Sequence, residues 1–190
     1  MAPLAGIATS FGLSTAAGLN AYLPLFIVAL LARFTNLIEL RPPYDILTSW
    51  WVIGILLVLL LIEMFVDKIP AVDSVNDTIQ TIIRPLAGAI LFAANTNLIS
   101  DVHPALAVVC GLLIAGSVHA VKATVRPVVT GTTGGILNPV VSLVEDIVSA
   151  IVTILAIVVP ILMMLIILLS IGFVIRWYHK RKQRRKLRLA

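Results

Sequence analysis

Three sets of polar residues recur at helical spacing, and each carries groups that can bind ions or exchange protons. Asp73, Asp77, Gln80 and Arg84 fall on one face of a helix and are mixed in sign. His119, Lys122 and Arg126 make a second, basic face, and Ser142, Glu145, Asp146, Ser149 and Thr153 a third, acidic one that begins after Asn138-Pro139. Packed together, the basic face would neutralise the acidic ones. Further polar groups interrupt or end apolar segments: Asn20, Glu63, Asp67 and Lys68. Charge within an apolar segment is costly enough to mark a functional candidate. The candidate ligand-binding or pore-lining residues are therefore Asn20, Glu63, Asp67, Lys68, Asp73, Asp77 and Arg84, then His119, Lys122, Arg126, Asn138, Ser142, Glu145 and Asp146. A blander reading stands beside this one. Such stripes also suit helices lying flat at a membrane surface, an acidic pair near a helix N-terminus suits the helix dipole, and His119 could be a packing residue.

Catalytic signatures are missing. The chain has no His-Glu-x-x-His, no Gly-x-Ser-x-Gly and no phosphate-cradling Gly-x-x-x-x-Gly-Lys. Lys122 and Arg126-Pro127 share residue types with membrane lipid phosphatases, but the spacing is too short and the companion histidine motifs are absent. Asp73 and Asp77 could ligate a hard cation, although such pairs occur on many helices. Thr130–Gly135 could wrap an anion through its amides, but reads more simply as a linker. Cys110, the single cysteine, has no partner thiol within the chain. No catalytic residue and no cofactor are expected, and the metal question stays open.

The elements that must position these groups are apolar. The chain has 190 residues, 60% of them hydrophobic and 12% charged, with a mean hydropathy of +1.09. That is about half the usual share of roughly 25% charged residues, too little to cover a soluble domain with a polar surface. Composition excludes a soluble enzyme and predicts an integral, multi-pass membrane protein. The net charge of +5 is local in origin. Eight of the fourteen Lys and Arg lie from Arg176 onward (Arg176, Lys180, Arg181, Lys182, Arg184, Arg185, Lys186 and Arg188), so residues 1–175 hold six positive groups against nine acids. A basic run directly after an apolar span marks a cytoplasmic end held near anionic lipid headgroups, and nucleic acid is not expected as a partner. The N-terminus has no basic region ahead of its apolar residues and does not resemble a cleaved signal peptide.

Along the chain, residues 4–34 predict a short or broken helix, an interruption at Gly18-Leu19-Asn20, and a longer helix ending near Arg33. Gly6, Ser10, Ser14 and Ala17 share a face of small residues suited to close helix contact and to self-association. Residues 35–49, with Arg41-Pro42-Pro43, predict a loop. Trp50–Val66 is the cleanest span, followed by a polar amphipathic stretch and an apolar Pro85–Asn97. His103-Pro104 opens a span to about Val125, and Thr130–Gly135 forms a flexible connection. From Asn138 to Trp177 runs a segment of 40 residues, about 60 Å as one helix and twice the hydrocarbon thickness. Two spans hinged at Val159-Pro160 fit better, although one tilted span after a cavity-lining half is an alternative. Six spans place Lys68, Arg84, Lys122, Arg126 and the tail on one side, as the positive-inside tendency requires. The order Asp67 to Arg84-Pro85, then Lys122 to Asn138-Pro139, hints weakly at an internal repeat.

Gly18-Leu19-Asn20-Ala21-Tyr22-Leu23-Pro24, Asp67-Lys68-Ile69-Pro70 with Asp73 and Asp77, Arg84-Pro85-Leu86-Ala87-Gly88, His119-Ala120-Val121-Lys122, and Asn138-Pro139 with Ser142 and Glu145-Asp146 together resemble the bacterial membrane-protein family known as domain of unknown function 4126. The resemblance covers about residues 6–158. It implies a multi-pass inner-membrane protein and supplies no activity.

The expectation is an all-α polytopic membrane protein of about six transmembrane helices with broken or re-entrant segments. Residues 1–178 would form one transmembrane domain and residues 179–190 a basic cytoplasmic tail. Its function reads as a small transporter or channel-like protein, handling a small charged solute, an ion or a lipid headgroup through a polar cavity. The alternatives are a membrane scaffold or assembly protein with interfacial helices and, behind it, an intramembrane lipid-modifying enzyme. Membrane lipids and a second copy of the chain are the expected partners.

Overall fold

The computed structural model describes residues 3–67, 70–96 and 103–160 and single positions between 162 and 176, with the side chains of residues 3, 70–75 and 77 outside that description. Lys68, the side chains of Asp73 and Asp77, and the basic tail at 179–190 therefore lie outside the described residues. Among the described residues the chain is all helical. Six α-helices follow in order: α1 (Pro3–Leu19), α2 (Tyr22–Phe34), α3 (Trp50–Val66), α4 (Pro70–Thr96), α5 (Pro104–Thr133) and α6 (Asn138–Val158), with a 3-10 turn at Tyr44–Thr48.

Small residues put α1 at the centre. Its Ala8, Ser10, Ser14, Ala16 and Ala17 are buried, and α1 packs on α4, α5 and α6. Ser14 donates to the Gly88 carbonyl at 2.9 Å, and Asn95 near the end of α4 donates to Ser10 Oγ at 2.9 Å and to the Gly6 carbonyl. These pairs run α4 antiparallel to α1. Thr9 donates to the Ala156 carbonyl at 2.8 Å and Ser149 to that of Ala16 at 3.0 Å, so α6 is antiparallel to α1 as well. The small-residue face read as a surface for self-association is thus consumed inside the monomer. Sequence shows that such a face wants a close helix partner, but not whether the partner is the same chain.

The α4–α5 crossing brings backbone against backbone. A Cβ on Gly111 would lie 2.6 Å from the Ala89 Cα, and one on Gly88 would lie 2.9 Å from the Gly111 carbonyl oxygen. Helices α2 and α3 form an antiparallel pair fastened at both ends. Phe34 packs edge-on against Trp50, and the Ala21 amide donates to Glu63 Oε1 at 3.4 Å.

Two boundaries differ from expectation. Pro85 lies inside α4, so the polar stretch and the apolar stretch are one helix. Helix α5 continues past Val125 and through Pro127 to Thr133, and ends where Gly134 adopts φ 61, the left-handed geometry that glycine takes without strain. The expected flexible connection is thus mostly helical. The suggested repeat is not mirrored in the helix layout, because Pro85 is internal to α4 whereas Asn138-Pro139 opens α6. The break before Pro160 is present: α6 stops at Val158 and Val159 leaves helical geometry, as a residue preceding proline tends to do.

Among the described residues two helices, α5 and α6, are long and apolar enough to cross a membrane. Their outward faces carry exposed Leu113, Val121, Val125, Val144, Ile147 and Ile151. Faces of that composition suit lipid contact.

Candidate functional site

The interruption between α1 and α2 frees backbone groups inside the bundle, and polar side chains answer four of them, the Leu19 carbonyl and the amides of Ala21, Tyr22 and Leu23. Asn20 Oδ1 accepts from the amides of Tyr22 at 3.1 Å and Leu23 at 2.9 Å, capping α2. Glu63 Oε1 faces the Ala21 amide, and Lys122 Nζ donates to the Leu19 carbonyl at 3.0 Å. A cation therefore meets the C-terminus of α1 and a carboxylate the N-terminus of α2, the signs that the two helix dipoles favour. Non-helical backbone buried away from water is tolerated where protein groups satisfy it in this way.

Around the break the charges interlock. Arg84 Nη2 lies 3.1 Å from Glu63 Oε1 and 3.7 Å from Asp67 Oδ2. Lys122 Nζ lies 2.9 Å from Glu145 Oε2 and 3.5 Å from Asp67 Oδ2. Arg126 Nη2 bridges Asp67 at 3.1 Å and Glu145 at 2.9 Å. Asn76 adds a bond to Asp67 Oδ1 at 2.7 Å. Four helices and the residue capping α3 thus share one network, with Asp67 touching all three cations. Arg84 is fully buried, and Glu63, Asp67, Lys122 and Arg126 nearly so.

His119 belongs to this network. Arg84 Nη1 lies 2.9 Å from His119 Nδ1, and Thr81 Oγ1 lies 3.1 Å from Nε2. A guanidinium can only donate, so Nδ1 accepts. The ring proton is accordingly assigned to Nε2, where it donates to Thr81. On α6, Asp146 Oδ1 accepts from Asn20 Nδ2 at 2.8 Å, and Asn138 Oδ1 accepts from Thr130 Oγ1 at 3.0 Å. Asn138 thereby ties the α5–α6 turn and stands apart from the ion pairs. Among the described residues four buried oxygens have no hydrogen-bond partner: Glu63 Oε2, Gln80 Oε1, Ser142 Oγ and Asp146 Oδ2.

The structure therefore brings together Asn20, Glu63, Asp67, Arg84, His119, Lys122, Arg126, Glu145 and Asp146, with Ser142 buried one turn from Asp146. Asn76 and Thr81 are additions. Asn76 lies on the edge of the helix face defined by Gln80 and Arg84, and that position was its one sequence signal. Among the described residues no group of three or more His, Cys, Asp or Glu is arranged to hold a metal ion. An apolar groove of about 640 Å³ lies elsewhere, on α3 between Trp50, Trp51, Gly54, Ile55, Val58 and Leu59, and has no part in this polar chemistry.

Fold and site define an all-helical protein with an ionic centre enclosed by apolar-faced helices. The chain belongs to the family described as Domain of unknown function (DUF4126), which matches residues 7–180. No curated protein and no solved structure matches it.

Proposed function

We propose that the protein is a small multi-pass transporter or channel-like protein of the inner membrane, handling a small charged solute, an ion or a lipid headgroup at its ionic centre. The observation that carries this reading is the coincidence of a helix break with buried charges and with buried oxygens that lack partners. Broken helices whose ends face an ionic site are a recurring way to bind solutes within a bilayer. Unpartnered polar atoms in a buried site call for a ligand or water.

Six spans, a cytoplasmic C-terminus and a homo-oligomer complete the proposal. The orientation rests on the eight cations from Arg176 onward. Arg84, Lys122 and Arg126 are paired with carboxylates, so they add little to the loop-charge bias. A scaffold is the second reading, favoured by Arg126, which links the end of α3 to α6 without any ligand.

Thermal unfolding in detergent separates the two. A bound solute raises Tm by mass action. Of sodium, potassium, magnesium, choline and phosphate at constant ionic strength, at least one should raise the Tm of the parent and fail to raise that of Glu145→Gln. If every ion acts alike on parent and variant, the scaffold reading prevails.

A further inference from the structure

Among the described residues the acids and bases at the break do not balance. Four carboxylates, the buried Glu63, Asp67 and Asp146 and the partly exposed Glu145, stand beside three cations, Arg84, Lys122 and Arg126. Glu63, Asp67 and Glu145 each make ion pairs, and Asp146 makes none. Its Oδ1 is held by a neutral amide, Asn20 Nδ2, at 2.8 Å. Its Oδ2 is enclosed and has no partner, and Asp146 is 5% exposed. Ser142, one turn earlier on the same face, is fully buried with Oγ also unpartnered.

Among the described residues nothing packed against α6 supplies the missing charge. Helix α1 carries no titratable side chain, and α2 carries Tyr22 at its start and Arg33 at its far end. Helix α5 brings Lys122 and Arg126, both already 2.9 Å from Glu145, and the end of α3 brings Asp67, an acid paired with the same two cations. Glu145, on α6 itself, has the same sign as Asp146. An unpaired buried carboxylate is too costly to persist uncompensated, and neutralisation is the usual escape.

We infer that Asp146 is a proton-exchange site, taking up a solvent proton at Oδ2 and returning it, with Ser142 as the neighbouring hydroxyl that accepts or relays it. On uptake an O–H bond of a hydronium ion breaks as the Oδ2–H bond forms, and release to water reverses this; where Ser142 relays the proton, its hydroxyl gains one O–H bond and gives up the other. A proton needs only one oxygen, whereas hard metal cations take about six or more, and two open oxygens lie here. The ionised form accepts a charge-assisted bond from Asn20, stronger than the bond the neutral acid accepts. Asn20 caps α2, so the proton sets how firmly α6 grips the helix break. This deepens the transport reading and rests on it for its purpose.

The test is infrared difference spectroscopy of the full chain in lipid nanodiscs across a pH titration. A carbonyl band of a protonated carboxyl should be present at low pH, vanish on alkalinisation, be absent in Asp146→Asn, shift in Ser142→Ala, and persist in the exposed loop variant Glu39→Gln. The proposal is overturned if the band survives in Asp146→Asn, if the folded parent shows no such band, or if sodium or potassium removes it at constant pH. Should Asp146→Asn fail to fold, Ser142→Ala decides, since an unmoved band there overturns the proposal. A protein that shows the titrating band yet fails the ion panel keeps its proton site and loses the transport reading.

Discussion

Asp67 is the residue on which the ionic centre turns, because one carboxylate stands within 4 Å of Arg84, Lys122 and Arg126 and accepts from Asn76 as well. Removing one member of a buried pair strands its partner and costs about 3–5 kcal/mol, whereas exchanging both for apolar groups can be nearly neutral. Asp67→Asn should therefore lower Tm sharply in mild detergent. Arg126→Met and Glu145→Leu should each be harmful, and the double variant milder than their sum by about 0.5–3 kcal/mol. Additive effects would mean that the charges are solvated separately. Sequence brought these residues forward unevenly. The face of His119, Lys122 and Arg126 is legible because three polar residues repeat along one apolar helix. Glu63 and Asp67 close α3 and belong to no stripe, so their cost in an apolar setting marks them while their partners are fixed only by tertiary packing.

At the scale of elements, the break between α1 and α2 was readable from Gly18-Leu19-Asn20 and Pro24, since each resists continuous helix. The boundaries inside α4 and α5 were not. Proline signals an end in sequence, yet Pro85 and Pro127 are held within helices. Each forfeits one helical hydrogen bond, and around Pro85 helix α4 is held by close approach to Gly116 of α5 and by the Ser14 bond to the Gly88 carbonyl. Asn20→Ala should lose the cap on α2, about 0.5–2 kcal/mol, and with it the bond to Asp146. The loss should be smaller when Asp146 is already Asn, which a thermal double-variant cycle will measure. Gly111→Val should force α4 and α5 apart, costing about 1–3 kcal/mol or more. Gly54→Ala, where an added Cβ meets nothing within 4 Å, should leave Tm unchanged.

At the scale of the whole molecule, apolar side chains face outward along α3, α5 and α6, while Glu63, Asp67, Arg84, Lys122, Arg126 and Asp146 are buried. The apolar exterior was legible from composition, because 12% charged residues leave little polar material to cover the surface. That Arg84, Lys122, Arg126 and Glu145 meet in one network was legible only as an electrostatic necessity. Which helices deliver it depends on the antiparallel packing of α4 and α6 against α1. A reporter fused after Ala190 should be active on the cytoplasmic side, and activity only on the opposite side would reverse the orientation. The central claim is that the buried charges handle a solute and do not merely staple helices. Its most direct measurement is charge movement in reconstituted proteoliposomes, recorded during jumps of pH and of each ion in the panel. The parent should give a transient or sustained current for at least one of them, Asp67→Asn should abolish it, and Glu39→Gln should preserve it. Vesicles holding folded parent protein that stay as silent as empty vesicles under every jump would contradict the account.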